Sequence, residues 1–297
     1  MGLKVLKFGG SSVADGIQLQ KMKRIIDADP DRRYVVASAP GKRFEIDNKV
    51  TDLLYLCKTH MEQNLPYDQV FQVIKDRFNA VKLNLSIDVD MEIHFEEILI
   101  NMKKGCSKDY IASRGEYLSA VLVAAYLEVD FVDAARMILF DEKGRLLFDE
   151  TDNAISAELS KHERAVIPGF YGTDVETGEI RTFSRGGSDI TGALVAKAMG
   201  AEVYENWTDV SGFLMADPRI VKNPKPIEKI SYKELRELSY MGASVLHEDA
   251  IYPCRIADIP INIRNTNHPD DPGTIITANE EHSNKIVTGI AGSKAFT

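Results

Sequence analysis

Short apolar runs rich in β-branched and aromatic residues recur at Leu3–Phe8, Tyr34–Ser38, Ala165–Phe170, Glu202–Asn206 and Pro260–Arg264. Each has the length of a strand, and most are separated by stretches in which apolar positions return every third or fourth residue. That alternation predicts an α/β fold, a mostly parallel central sheet covered by helices on both faces in three α/β/α layers. From Thr51 to Leu127 the pattern is almost wholly helical, so several helices follow one another before strands resume. Around Phe131–Gly178 lie short strand candidates with turns at Asp141–Gly144 and Glu176–Gly178 that read as hairpins. Ser231 and Glu234 form a capping box ahead of Leu235 and Leu238. No internal repeat or low-complexity tract interrupts the chain. Past Pro272-Gly273-Thr274, residues 279–284 read as polar linker, and the apolar segment IVTGIAGSKAFT at 286–297 reads as the first strand of a further domain.

Composition narrows the picture. With 297 residues and 44% hydrophobic content, the chain can bury one large core or two lobes packed together. Its 36 basic against 45 acidic side chains give a net charge of −9, which argues against broad nucleic-acid or anionic-membrane surfaces. An anionic ligand must therefore be held by a local cluster of positive groups. Cys57, Cys106 and Cys254 are odd in number and far apart, which suggests neither a disulfide framework nor a zinc site and fits free thiols in a reducing cytoplasm. No segment has the apolar length of a membrane helix or a signal peptide, so a soluble cytoplasmic protein is expected. The Met1-Gly2 start lacks the serine or threonine at position 6 that myristoylation wants, because Leu6 stands there.

Candidate chemistry gathers at glycine-rich turns. The strand ending Lys7-Phe8 runs into Gly9-Gly10-Ser11-Ser12, and a second pair, Arg185-Gly186-Gly187-Ser188, precedes a helix carrying Ile190, Ala193 and Leu194 on one face. Ser188 or Asp189 would then lie at a helix N-terminus, which favours an anion. Neither pair matches a standard nucleotide fingerprint, since Gly41-Lys42 is followed by Arg43 and no G-x-G-x-x-G occurs. Taken singly, each pair reads first as an ordinary tight turn; together, and beside Lys7 and Arg185, they bracket one possible phosphate site. Thr208-Asp209 and Asp217-Pro218-Arg219 follow the fourth strand, where open α/β sheets place ligands, although a plain turn with a solvated arginine fits the second of these. Glu116 sits beside the apolar stripe Tyr117, Leu118, Val121 and Leu122. Turned outward it is a solvated helix residue; turned inward it needs a cationic partner.

Lys7-Phe-Gly-Gly-Ser-Ser-Val13 resembles the opening signature of the aspartate kinases in the amino-acid kinase family. The resemblance continues through Val36–Gly41, Lys49–Leu53, Arg114-Gly-Glu116, Pro168-Gly-Phe170, Arg185–Asp189, Trp207–Val210, Asp217-Pro-Arg219 and Lys225-Pro-Ile227. These matches run in order over nearly the whole chain. The resemblance implies the amino-acid kinase fold over 1–277, with a lobe for aspartate over 1–180 and a lobe for ATP over 181–277. Residues 278–297 would be a linker and the first strand of a truncated regulatory ACT domain. It also implies transfer of the γ-phosphoryl group of MgATP to the β-carboxylate of L-aspartate, the step that opens the routes to lysine, threonine and methionine.

In that family's terms Lys7 would neutralise the transferred phosphoryl group, the backbone at Gly9, Gly10 and Ser11 would cradle its oxygens, and Asp189 would orient Lys7. Arg185 would pair with the substrate α-carboxylate and Glu116 with its ammonium, while Ser12, Ser38, Thr51, Phe170 and Ser188 match other pocket positions. Thr208, Asp209, Arg219 and Lys225 would serve the nucleotide together with Lys7 and Gly10. Magnesium would be held mainly by phosphate oxygens and water, so no protein ligand to it is named. A homodimer is implied for the full-length protein. Ser11 replaces the usual threonine and keeps its hydroxyl; Leu214 stands where many relatives carry a tyrosine near the adenine. None of the six histidines falls in a signature, and His247, the nearest, reads as structural. Two other readings remain: a sibling kinase acting on another small acid, which would differ at Arg114–Glu116 and Trp207–Arg219, and a non-catalytic amino-acid sensor, which would not need Lys7, Asp189 and both glycine pairs.

Overall fold

In the computed structural model, which describes residues 2–184, 186–218, 220–240, 246, 248–278 and 288–290, the first apolar run forms β1 (Lys4–Phe8), with Val5, Leu6 and Phe8 wholly buried. A 3-10 turn over Gly10–Val13 leads into α1 (Gly16–Asp27), whose N-terminus is capped by Asp15 accepting the Gln18 N–H at 3.0 Å. Then come β2 (Arg32–Ala37), α2 (Val50–Glu62), α3 (Asp68–Leu85), α4 (Met91–Lys103), α5 (Lys108–Leu127), β3 (Asp130–Phe131), β4 (Leu139–Phe140), α6 (Phe148–Leu159) and β5 (Ala165–Pro168). The chain continues through β6 (Tyr171–Asp174), β7 (Ile180–Thr182), α7 (Gly187–Ala198), β8 (Val203–Thr208), β9 (Lys229–Ser231), α8 (Tyr232–Tyr240), α9 (Glu248–Ile256), β10 (Ile261–Asn265) and β11 (Thr274–Thr277).

The eight-stranded sheet runs β3-β5-β2-β1-β8-β10-β11-β9, and every pairing in it is parallel except β10 with β11. All five apolar runs are strands of this sheet, so the mostly parallel α/β fold expected from the pattern is found. Strands from both expected lobes share it, β1 being paired on one side to β2 and on the other to β8. One helical group gathers α7 with α6 and α9, the other α5 with α2, α3 and α4, and both α5 and α7 pack on β2. Helix α5 is buried along most of its length because strands lie on one side and α2 to α4 on the other.

The smaller turns follow their chemistry. Ser231 and Glu234 cap reciprocally: the Ser231 N–H donates to Glu234 Oε2 at 2.9 Å and the Glu234 N–H to Ser231 Oγ at 3.2 Å. β6 and β7 form the hairpin expected at Glu176–Gly178, and Asp141–Gly144 closes a tight turn bridging Phe140 to Leu146. The three cysteines are free thiols. Among the described residues no helix is long and apolar enough to cross a membrane.

Candidate active site

Parallel register brings the ends of β1, β2, β5 and β8 to one edge of the sheet. Phe8 lies opposite Ala37 and Trp207, and Ala37 opposite Pro168, so the turns that follow these residues are neighbours. Gly9 donates its N–H to the Trp207 carbonyl at 2.9 Å, Ser38 to the Phe8 carbonyl at 3.2 Å, and Gly169 to the Ala37 carbonyl at 3.0 Å. Open α/β sheets place ligands at such an edge.

Lys7 emerges here from β1 only 8% exposed, with its Nζ 2.6 Å from Asp189 Oδ1 in the first turn of α7. Asn206 on β8, directly opposite Lys7 in the sheet, donates from Nδ2 to the same Asp189 oxygen at 2.8 Å and presents its Oδ1 3.5 Å from Nζ. Beside them the two glycines do different work. A Cβ on Gly10 would come within 2.8 Å of the Ala39 carbonyl oxygen, and the Gly10 oxygen already accepts the Gly41 N–H at 2.8 Å. Gly10 thus lets two backbones touch. A Cβ on Gly9 would meet only ordinary contacts, Lys7 Nζ and the Trp207 oxygen at 3.6 Å and Thr208 Oγ1 at 3.9 Å, so this glycine keeps space open beside the ammonium.

The loop from Ser38 to Gly41 carries the rest of the pocket. Thr51, half-buried in the first turn of α2, hangs from it through the Val50 N–H, which donates to the Pro40 carbonyl at 3.1 Å. Arg77, buried on α3, fastens the far side by donating to the Gly41 carbonyl at 2.5 Å and the Asn48 carbonyl at 2.6 Å. Under the loop lies Glu116, turned inward from α5 and 6% exposed. Burial pushes its carboxyl up to about 8 against the partial offset of a backbone hydrogen bond from Ala39, its own backbone N–H and the charge of Arg114. Arg114 is itself committed elsewhere, its guanidinium 4.5, 4.6 and 5.1 Å from the rings of Tyr110, Tyr117 and Tyr171. Glu116 Oε2 has no hydrogen-bond partner. An oxygen so placed can accept a further hydrogen bond.

Phe170, between β5 and β6, has φ of 79°, a left-handed conformation that a bulky side chain resists. It is held there because its N–H donates to Thr191 Oγ1 at 3.1 Å, its carbonyl accepts the Phe183 N–H at 2.9 Å, and Gly187 lies so near that a Cβ would approach its ring to 2.6 Å. Ser188 packs against Gly169 next to it.

The remaining expected residues divide. Ser11 is half-buried in the glycine turn, whereas Ser12 is buried and its hydroxyl shares a 2.7 Å hydrogen bond with Thr266. Thr208 ends β8 and donates to Asp209 Oδ1 at 3.2 Å, and Asp209 is exposed. Lys225 is exposed further out, its carbonyl accepting the Met215 N–H beside a Leu214–Pro226 bridge. Arg185, Arg219, His247 and most of 286–297 lie outside the described residues. Asn206 and Arg77 were not among the expected residues. The signals were present: an asparagine inside a buried strand, and an arginine on the apolar stripe Phe71, Ile74 and Phe78.

Comparison with known proteins decides the lineage. The model of the amino acid kinase family matches residues 2–265. Aspartokinase 3 of Bacillus subtilis is 35% identical over 99% of this chain and 68% of its own length. This chain belongs to the amino acid kinase family, among the aspartokinases. Aspartokinase 1 of Arabidopsis thaliana, a chloroplast protein, is 32% identical over 99% of this chain and 55% of its own. Among solved structures, aspartate kinase from Clostridium acetobutylicum is 51% identical with a TM-score of 0.91 over 98% of this chain and 66% of that one. Aspartokinase III of Escherichia coli, solved with aspartate and ADP, is 26% identical with a TM-score of 0.81 over 94% of this chain and 65% of that one. The chain thus spans from about half to two thirds of these relatives' lengths, and the resemblance expected from the motifs extends over nearly all of it.

Proposed function

We propose that this chain is the catalytic part of an aspartate kinase, transferring the γ-phosphoryl group of MgATP to the β-carboxylate of L-aspartate to give 4-phospho-L-aspartate and ADP. The observation that carries this reading is Glu116, a buried carboxyl group with an unpartnered oxygen, lying one loop away from a buried lysine at the sheet edge. A phosphoryl acceptor bearing its own ammonium group satisfies that oxygen; a plain carboxylic acid does not. The relatives named above, one of them solved with aspartate and ADP, support the same choice.

The acceptor carboxylate is ionised at neutral pH, so its oxygen attacks the γ-phosphorus without a general base, as the bond to the bridging oxygen breaks and that electron pair leaves with ADP. What opposes reaction is the approach of one anion to another, and catalysis falls to positioning and charge neutralisation. Lys7 keeps one hydrogen bond to Asp189 and offers another into the space beside Gly9, where a phosphoryl oxygen would sit. Arg185 would grip the α-carboxylate with its planar fork, Glu116 the ammonium, and Ser38, Thr51, Phe170 and Ser188 would complete the acceptor pocket. Residues 1–180 would mainly serve aspartate and 181–277 the nucleotide, through Thr208, Asp209, Arg219 and Lys225. Magnesium would enter as part of the substrate, held by phosphate oxygens and water. A cytoplasmic location and a homodimer of the full-length protein go with this reading.

The test is ADP release from MgATP with L-aspartate, L-glutamate, N-acetylglutamate or no acceptor. Aspartate-dependent release supports the reading. Preference for another acceptor makes the chain a sibling kinase, and binding of aspartate and ATP without release makes it a sensor.

A further inference from the structure

We infer that Asn206 is a positioning residue for phosphoryl transfer, the group that fixes Asp189 so that Lys7 can turn a hydrogen toward the phosphoryl oxygens without losing its anchor; this rests on the aspartate kinase reading above. The amide fits in one orientation only. Nδ2 faces the carboxylate of Asp189 at 2.8 Å and Oδ1 faces the ammonium of Lys7 at 3.5 Å, so the reverse assignment would set donor against donor and acceptor against acceptor. Because β1 and β8 pair in parallel with Lys7 opposite Asn206, both side chains leave the same face of the sheet toward the start of α7. Tyr204, two residues earlier on that face, donates its hydroxyl to the Asp189 carbonyl at 3.2 Å. Strand β8 therefore holds Asp189 twice, at its backbone through Tyr204 and at its carboxylate through Asn206.

This arrangement answers a difficulty in the mechanism. A lysine in a 2.6 Å ion pair is poorly disposed to serve a phosphate if its carboxylate partner swings with it. One oxygen of Asp189 accepts from both Lys7 and Asn206, so the carboxylate stays on the strand while the ammonium rotates about its own bond. An asparagine only filling space in the sheet would need neither contact. Since Asn206 is 4% exposed, a leucine, which keeps the branch at Cγ in a somewhat larger side chain, removes both contacts while leaving the site apolar and filled.

The experiment compares wild type, Asn206→Leu, Asp189→Asn and the double variant for kcat, the KM of aspartate and of ATP, and Tm. Asn206→Leu should lower kcat about tenfold, equivalent to about 1.4 kcal/mol in the barrier, leaving both KM values within about twofold and Tm not reduced. In the Asp189→Asn background the same change should cost less than about twofold, because Asn206 acts through Asp189. Wild-type kcat in Asn206→Leu, an equal loss in both backgrounds, or a loss that tracks a lowered Tm would overturn the inference while leaving the kinase reading intact. Absence of aspartate-dependent ADP release in wild type overturns the reading, and the inference with it.

Discussion

If Glu116 receives the ammonium of aspartate as proposed, binding becomes a titration. Burial raises the Glu116 carboxyl from 4.5 to about 8, so at pH 7 this group is mostly protonated. The arriving ammonium favours the ionised form, and binding must expel that proton. Below pH 8 the apparent affinity for aspartate should therefore rise up to about tenfold per pH unit and level off above it. Most of one proton should be released per aspartate bound at pH 7, read by calorimetry in two buffers of different ionisation enthalpy. Stability moves the other way. Between 4.5 and about 8 the unfolded chain ionises this carboxyl while the folded one retains its proton, so stability from this group is fully present below 4.5 and is lost as pH rises toward 8. At 1.36 kcal/mol for each tenfold, the loss is about 3 kcal/mol at pH 7. Glu116→Gln should recover a large part of it in chemical denaturation at pH 7 and little at pH 4.5, while raising the KM of aspartate by about a hundredfold, in line with a lost charged hydrogen bond of about 3 kcal/mol. A KM for aspartate that is flat from pH 6 to 9, or unchanged in Glu116→Gln, would refute the assignment.

The two glycines of the first turn should separate stability from turnover. Gly10→Ala forces its Cβ against the Ala39 carbonyl and should cost about 1–3 kcal/mol in thermal unfolding, whereas Gly9→Ala, with φ of −69° and ordinary contacts, should keep its Tm yet lose turnover through crowding beside Lys7. Arg77→Met keeps the stem's bulk but removes the bonds to Gly41 and Asn48; about 2 kcal/mol of stability should go, and the KM of aspartate should rise as the loop above Glu116 loosens, both checked against wild type in one kinetic and melting series.

The sequence revealed those parts of the site whose chemistry is local. A strand running into Gly9-Gly10, a helix starting after Gly186-Gly187 and a capping box at Ser231 each reveal themselves within a few residues, because turns, caps and strand ends are short-range events. What escaped depends on tertiary register. Asn206 reads as one polar residue in a buried strand until β1 is laid beside β8, and Arg77 becomes a clamp on Gly41 only once α3 packs under a loop 36 positions away in the chain. Glu116 shows the middle case: the stripe beside it allowed an inward carboxylate, but its unpartnered oxygen follows from the loop that covers it. Ser12, matched to a pocket position through the family resemblance, shares its hydroxyl with Thr266, 254 positions away, a contact that no local pattern announces.

The central claim is tested most directly by trapping the product. MgATP and L-aspartate are incubated with the protein and hydroxylamine, which converts an acyl phosphate into a hydroxamate, with Lys7→Met run in parallel. The account predicts hydroxamate in step with ADP for wild type, and a rate lower by two orders of magnitude or more for a folded Lys7→Met, about 2.7 kcal/mol of lost transition-state stabilisation. ADP without hydroxamate, or equal yields from both proteins, would contradict it.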